Sequence, residues 1–306
     1  MAEPVCERLA LIGVGLIGSS IARAAREFGA ARHIALMDSS PSVVARAREL
    51  GLADLATEDH AEALAGADLV IVCTPVGVCG EVAQKIAPYL PKGAVVSDVG
   101  SVKGAVVAQM APHLSERTRF IPAHPIAGTE FSGPDAGFAM LFQNRWCILT
   151  PPDGADASAV EKLMAFWTRL GAKVETMSVA HHDAVLALTS HLPHLIAYNI
   201  VGTADDFGDE TRSEVIKFSA SGFRDFTRIA ASDPIMWRDI FLANKDAVLE
   251  MLGRFNEDLS ALQRMIRRGD GQGLFEFFSR TREIRRSIIE QGQDTAAPDF
   301  GRRSGN

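Results

Sequence analysis

The chain has 306 residues, of which 47% are apolar, and carries a formal net charge of −7. That length allows one large domain or two ordinary ones with a sizeable core. The acidic balance argues against a general nucleic-acid partner, and no run reaches the ~18 apolar residues of a membrane span. Cys6, Cys73, Cys79 and Cys147 have neither metal-ligand spacing nor the look of a disulfide framework. With no charged-then-apolar leader at the N-terminus, a reducing, cytoplasmic setting is expected.

The first strong signal is Leu9-Ala10-Leu11-Ile12-Gly13-Val14-Gly15-Leu16-Ile17-Gly18, an apolar strand running into Gly-x-Gly-x-x-Gly and then a helix-compatible run from Ser19 to Phe28. Gly13 permits the tight turn, Gly15 lets backbone approach a pyrophosphate, and Gly18 lets the helix lie close to the sheet. Together with Leu16 and Ile17 they form a dinucleotide-type phosphate loop at a helix N-terminus. A second strand, His33 to Met37, ends in Asp38, twenty positions after Gly18, where such a fold puts the carboxylate that binds ribose hydroxyls. Helices are predicted over Pro41–Leu50, Asp59–Leu64 and Gly77–Leu90, and strands over Asp68–Cys73, Ala94–Val99, Phe120–Pro125 and Arg145–Thr150. A helix from Ser158 to Leu170 and a strand from Lys173 to Met177 complete the alternation, the mark of a parallel sheet covered on both faces.

After Ser178 no further strand is evident and the segments have helical period. The longest, Phe241 to Arg268, repeats Leu242, Val248, Leu249, Leu252, Phe255, Leu259, Leu262 and Ile266 at spacings of mostly three and four, one apolar face suited to a dimer interface. The expected architecture is a Rossmann-type α/β domain over residues 1–178, an all-helical substrate and dimerisation domain over 179–291, and a disordered tail over 292–306. Ligands of open parallel sheets bind at the carboxyl ends of the strands, so the substrate is expected between the two domains.

Polar residues at strand ends are the candidates for chemistry. Thr74-Pro75 closes the third long strand, Asp98-Val99-Gly100-Ser101-Val102-Lys103 the fourth, and Ala123-His124-Pro125-Ile126-Ala127-Gly128-Thr129-Glu130 the next. His124, locked by Pro125, suits general-base work near neutrality. Ser101 reads either as the N-cap of the following helix or as a hydroxyl for substrate and nicotinamide, and Lys103 reads as a solvated side chain. In the helical half, Pro193 of Ser190-His191-Leu192-Pro193-His194 is expected to kink its helix, and no carboxylate accompanies the two histidines at metal-ligand spacing. His181 and His182 read as helix-start residues. Arg228, among apolar neighbours, needs an anionic partner: Asp225, Asp233 or a ligand carboxylate.

These residues carry a resemblance. The glycine loop, Asp98 to Lys103, His124 to Glu130, His191-Leu192-Pro193-His194, and Gly222-Phe223-Arg224-Asp225-Phe226-Thr227-Arg228 with Trp237 resemble the prephenate/arogenate (cyclohexadienyl) dehydrogenases of tyrosine biosynthesis over residues 8 to 290. The resemblance implies oxidative decarboxylation of prephenate to 4-hydroxyphenylpyruvate, or of arogenate to tyrosine, by a homodimer. It implies that His124 takes the ring-hydroxyl proton and that Ser101 orients that hydroxyl and the nicotinamide. His194 and Arg228 would hold the substrate, Trp237 would close the pocket from either subunit, and Glu130 and Asp225 would organise access. Asp38 favours NAD over NADP, because a carboxylate repels a 2′-phosphate. Two alternatives stay open. A two-domain β-hydroxyacid dehydrogenase would use a lysine base, with Lys217 and Lys245 as candidates. A nucleotide sensor without turnover would have no use for His124, Ser101 and Arg228 together.

Overall fold

The computed structural model describes residues 3–290 except 116, 207–213, 215, 216 and 219. The predicted tail, 292–306, lies outside the described residues. Six strands form one parallel sheet: β1 (Cys6–Ile12), β2 (Ala31–Met37), β3 (Leu55–Thr57), β4 (Leu69–Val72), β5 (Val95–Asp98) and β6 (Arg119–Phe120), in the order β3-β2-β1-β4-β5-β6. Successive side chains point to opposite faces of a strand. Leu9, Leu11, Leu69 and Ile71 therefore enter one core layer, while Ala10, Ile12, Val70 and Val72 enter the other. Because both faces are covered, the strands are apolar throughout. The first layer packs under α1 (Leu16–Glu27) and α6 (Ala157–Arg169). The second packs under α3 (His60–Leu64), α4 (Cys79–Ile86) and α5 (Lys103–Met110). Between β2 and β3 lies α2 (Pro41–Glu49).

The predicted strand Phe120–Pro125 is in fact two strands in two sheets. Ile121 N–H still donates to Val96 O (2.9 Å), but Pro122 has no N–H for the ladder, and its carbonyl instead accepts from Thr150 N–H (2.9 Å). The chain thus leaves the large sheet at Pro122. β7 (Ala123–Pro125) pairs antiparallel with β8 (Trp146–Leu149), which pairs parallel with β9 (Lys173–Thr176). His124 consequently lies in the small sheet, opposite Ile148.

Beyond Ser178 the described elements are helical. α7 (Val179–Leu186), a π turn (Ala187–His191) and α8 (Leu192–Asp205) form one run of 27 residues, long and apolar enough by length and composition to cross a bilayer. Its buried histidines and Asp183 are bonded to β7, α5 and Asn244. The expected break at Pro193 is absorbed by the π turn before it, with Pro193 in the first turn of α8. There follow α9 (Ser221–Thr227), α10 (Pro234–Ala243), α11 (Lys245–Arg268) and α12 (Gly271–Glu290). The predicted helix from Phe241 is divided at Asn244, whose φ −110° and ψ 30° leave the helical region and whose side chain bonds other elements.

The chain separates into two compact units, one up to Val248 and the other from Leu249. The first extends past residue 178 because Trp237 and Ile240 of α10 join the second core layer of the sheet. In the second unit, Gly269 at φ +67° turns the chain between helices, and Leu249, Leu259, Ile266, Phe275, Phe278 and Ile284 are all exposed.

Candidate active site

The glycine loop is built by backbone constraints. Gly13 has φ +102°, and a Cβ there would lie 2.9 Å from Cys73 O. A Cβ on Gly18 would lie 2.1 Å from Gly13 O, so helix and turn can meet only through glycine. A Cβ on Gly15 would meet nothing within 4 Å, which leaves open space before the first turn of α1. No side chain caps that turn. The half-buried Leu16 and Ile17 begin α1, and its free N–H groups and positive dipole end fit a phosphate. Asp38, at the end of β2, accepts from Val14 N–H (2.9 Å) and Ser40 N–H (3.0 Å), which fixes it beside the loop. At the end of β4, Thr74 Oγ1 is buried without a hydrogen-bond partner, a polar atom available to a ligand, and Pro75 turns the chain into the next helix.

Below the next strand end lies a buried ion pair that corrects the sequence expectation. Lys103 is fully buried, not solvated. Its ammonium bonds Asp98 and Ala123 O. Asp98 also accepts from Gly100 N–H (2.7 Å) and Ala123 N–H (3.2 Å). One cation thereby ties β5, β7 and α5 together. An unpaired charge there would be very costly, and the hydrogen bonds to both partners make the pair tolerable.

Ser101 is half-buried and does not cap α5; the N-cap is Val102, without a side-chain bond. The cap comes from Asp183 on α7, which accepts from Lys103 N–H and Gly104 N–H, both at 2.8 Å. Asp183 also bonds His182 Nδ1 (2.8 Å), and His182 Nε2 lies 2.9 Å from His124 Nδ1. Burial alone would raise the Asp183 pKa, but the bonds from His182, Gly104 and Lys103 hold it below the usual carboxylate range. Burial first, then the charges of His182, Lys103 and His191, keeps His124 well below the ordinary histidine value, hence neutral. His182 is therefore no mere helix-start residue, whereas His181 is exposed and only its backbone N–H donates to the capping Ser178 Oγ (3.2 Å).

The helical side continues the network. Asn244 Nδ2 donates to Asp183 O (2.9 Å) and lies 3.1 Å from His191 Nδ1. Burial pushes His191 down to about 4. His194 stacks on Trp237 with ring centroids 3.7 Å apart, and its Nδ1 bonds Ser190 O (2.9 Å). Trp237 is buried within its own chain, packed on both histidines and Phe241. Arg228 is exposed, not enclosed by apolar residues, and its partner is Glu130 (3.1 Å), not Asp225 or Asp233. Asp225 lies 3.6 Å from Arg224. Burial lowers His194, and the Arg228 charge adds to this. The predicted residues thus fall into connected groups: His194 with Trp237, Arg228 with Glu130, and His124 joined to the helices through His182 and Asp183. Of the candidate lysines for a β-hydroxyacid reaction, Lys217 lies 5.2 Å from the Phe218 ring and Lys245 begins α11.

The chain resembles known proteins over most of its length. Residues 21–176 match the family model for the prephenate dehydrogenase nucleotide-binding domain, and 178–280 that for its dimerization domain. The chain is 43% identical over 284 residues to a cyclohexadienyl dehydrogenase of Zymomonas mobilis, covering 93% of this chain and 97% of the relative. It is 33% identical to a prephenate dehydrogenase of Bacillus subtilis, covering 96% and 79%. The Aquifex aeolicus prephenate dehydrogenase, solved with hydroxyphenyl propionate and NAD+, superposes with a TM-score of 0.86 at 36% identity, covering 92% of this chain and 98% of that one. Synechocystis arogenate dehydrogenase follows at 0.78 and 28%, covering 92% and 99%. With both family models matched in order along the chain and a relative 43% identical over nearly its whole length, the chain belongs to the prephenate dehydrogenase family.

Proposed function

We propose that this enzyme catalyses the NAD-dependent oxidative decarboxylation of prephenate and arogenate, the step that commits a cyclohexadienol ring to tyrosine. The observation that carries the reading is a neutral, buried His124 in β7, held by a second imidazole. Gly13, Gly15, Leu16, Ile17 and Gly18 would hold the pyrophosphate, Asp38 the ribose hydroxyls, and Thr74, Pro75 and Ser101 the nicotinamide end. Bound NAD supplies the hydride acceptor. His124 accepts the ring-hydroxyl proton as hydride leaves the same carbon. As CO2 departs, the electron pair of the broken C–C bond flows through the ring to that oxygen, and His124 returns the proton. The imidazole holds a proton only transiently, so a weak base suffices. Ser101 orients the hydroxyl. Arg228 and His194 attract the substrate's side chain, with Trp237 packed behind His194 and Glu130 and Asp225 guarding the approach.

The division of labour follows the resemblance: residues 1–178 bind the dinucleotide, while 179–291 complete the pocket and join two copies. Exposed apolar residues on α11 and α12 support a homodimer. The cyclohexadienyl dehydrogenase relative supports acceptance of both substrates. NADH absorbance followed with each substrate in turn tests the reading. Reduction with both is expected, and reduction with neither overturns it. Arg228→Ala is expected to raise KM about tenfold with kcat little changed; an unchanged KM removes Arg228 from the substrate contacts.

A further inference from the structure

We infer that His182 and Asp183 are positioning residues that hold His124 in a single tautomer, its Nε2 lone pair directed to the substrate, and that the same carboxylate anchors the Ser101 loop. The inference rests on His124 being the base. The order of bonds carries it. Asp183 is an acceptor only, so the proton between it and His182 sits on His182 Nδ1 (2.8 Å). In its uncharged form His182 then presents a lone pair at Nε2, 2.9 Å from His124 Nδ1. His124 must donate from Nδ1, or two lone pairs would face each other inside the core. Its Nε2 is left as the acceptor.

The second half follows from the other bonds of the same group. Asp183 Oδ1 and Oδ2 take the N–H groups of Lys103 and Gly104, the first two residues of α5. The cap that Ser101 would otherwise supply is thus provided from 79 and 80 residues away. Ser101 remains at the mouth of the loop without that duty. One carboxylate sets both the orientation of the base and the position of the hydroxyl that faces the same substrate oxygen. Asn244 holds the Asp183 carbonyl (2.9 Å), so the backbone bearing the carboxylate is itself fixed.

The test compares His182→Leu, which deletes the acceptor at similar volume, with His182→Gln, which can restore one. The leucine variant is expected to lose about 10²-fold in kcat, with KM and the NAD Kd within about threefold. The glutamine variant should recover at least about tenfold of that loss. Asp183→Asn serves as a second variant if the leucine variant does not fold. Nitrogen NMR of ¹⁵N-histidine enzyme reads the tautomer without turnover and is expected to give Nδ1–H at His124. An Nε2–H tautomer at His124, a His182 imidazolium, or wild-type kcat in His182→Leu overturns the inference. Failure of the wild-type enzyme to reduce NAD with either substrate would overturn the activity reading instead, leaving the tautomer result to stand by itself.

Discussion

The loop from Gly13 to Gly18 and the polar network around His124 are made in opposite ways. In the loop, the residues that matter lie within a few positions of one another, and their role is set by missing side chains: Gly18 is pressed against Gly13 O, while Gly15 is open to space. In the network, His124 is oriented by a histidine 58 positions away, and the N-terminus of α5 is capped from 80 positions away. The first is a backbone device, shaped by its own turn and by the backbone of Cys73 beside it. The second exists only once α7 has docked. Loop defects should therefore alter nucleotide binding and local packing, whereas network defects should separate catalysis from binding.

Four changes press on that contrast, beginning with the largest. His124→Asn is expected to cut turnover by about 10²–10⁴-fold with NAD binding intact; stopped-flow binding beside steady-state rates checks it, and a parallel loss of NAD affinity would blur the two regions. Lys103→Met leaves Asp98 buried without its counter-charge, and should cost about 3–5 kcal/mol in chemical denaturation. A stable Lys103→Met enzyme would mean that the strand ends are held elsewhere. Acid should act on the network. His191 is depressed from 6.5 to about 4 by burial. A histidine kept neutral in the fold gives stability that is complete above its unfolded value and lost as pH falls from 6.5 towards 4. This amounts to about 2 kcal/mol by pH 5, with His124 and His194 shifted the same way. Urea midpoints at pH 7 and 5 measure it, and His191→Gln should flatten the difference. Last, Gly18→Ala should cost about 2 kcal/mol because backbone must move, whereas Gly15→Ala should stay within about 0.5 kcal/mol yet weaken NAD binding. Equal melting losses in the two would undo the account of the loop.

The loop was legible in the sequence because the glycine spacing comes with an apolar strand before it and a helix-compatible run after it, and Asp38 was found by its distance to Gly18. The long strands were legible because sheets buried on both faces demand unbroken apolar runs. β3 was missed because Leu55–Thr57 is too short to show a period. The passage of the chain from one sheet to the other at Pro122 was marked by the proline but not by its hydrophobicity. Lys103 was misread as solvated. A lysine inside Val99–Val107 has the composition of a buried position, but only the opposed Asp98 and Ala123 carbonyl explain why it is tolerated. His182 and Asn244 escaped for a similar reason: each looks like an ordinary helix residue until its remote partner is known.

The π turn at Ala187–His191 gives the helical wall a phase. One residue in an α-helix is worth about 100° of rotation and 1.5 Å of rise. Deleting a single codon in that turn would swing His191 away from Asn244, or the wall beyond it away from Trp237, though every side chain of the site would still be encoded. A coarse replacement at exposed Leu188 would be absorbed by solvent. At this place the enzyme is more sensitive to how many residues it has than to which ones they are.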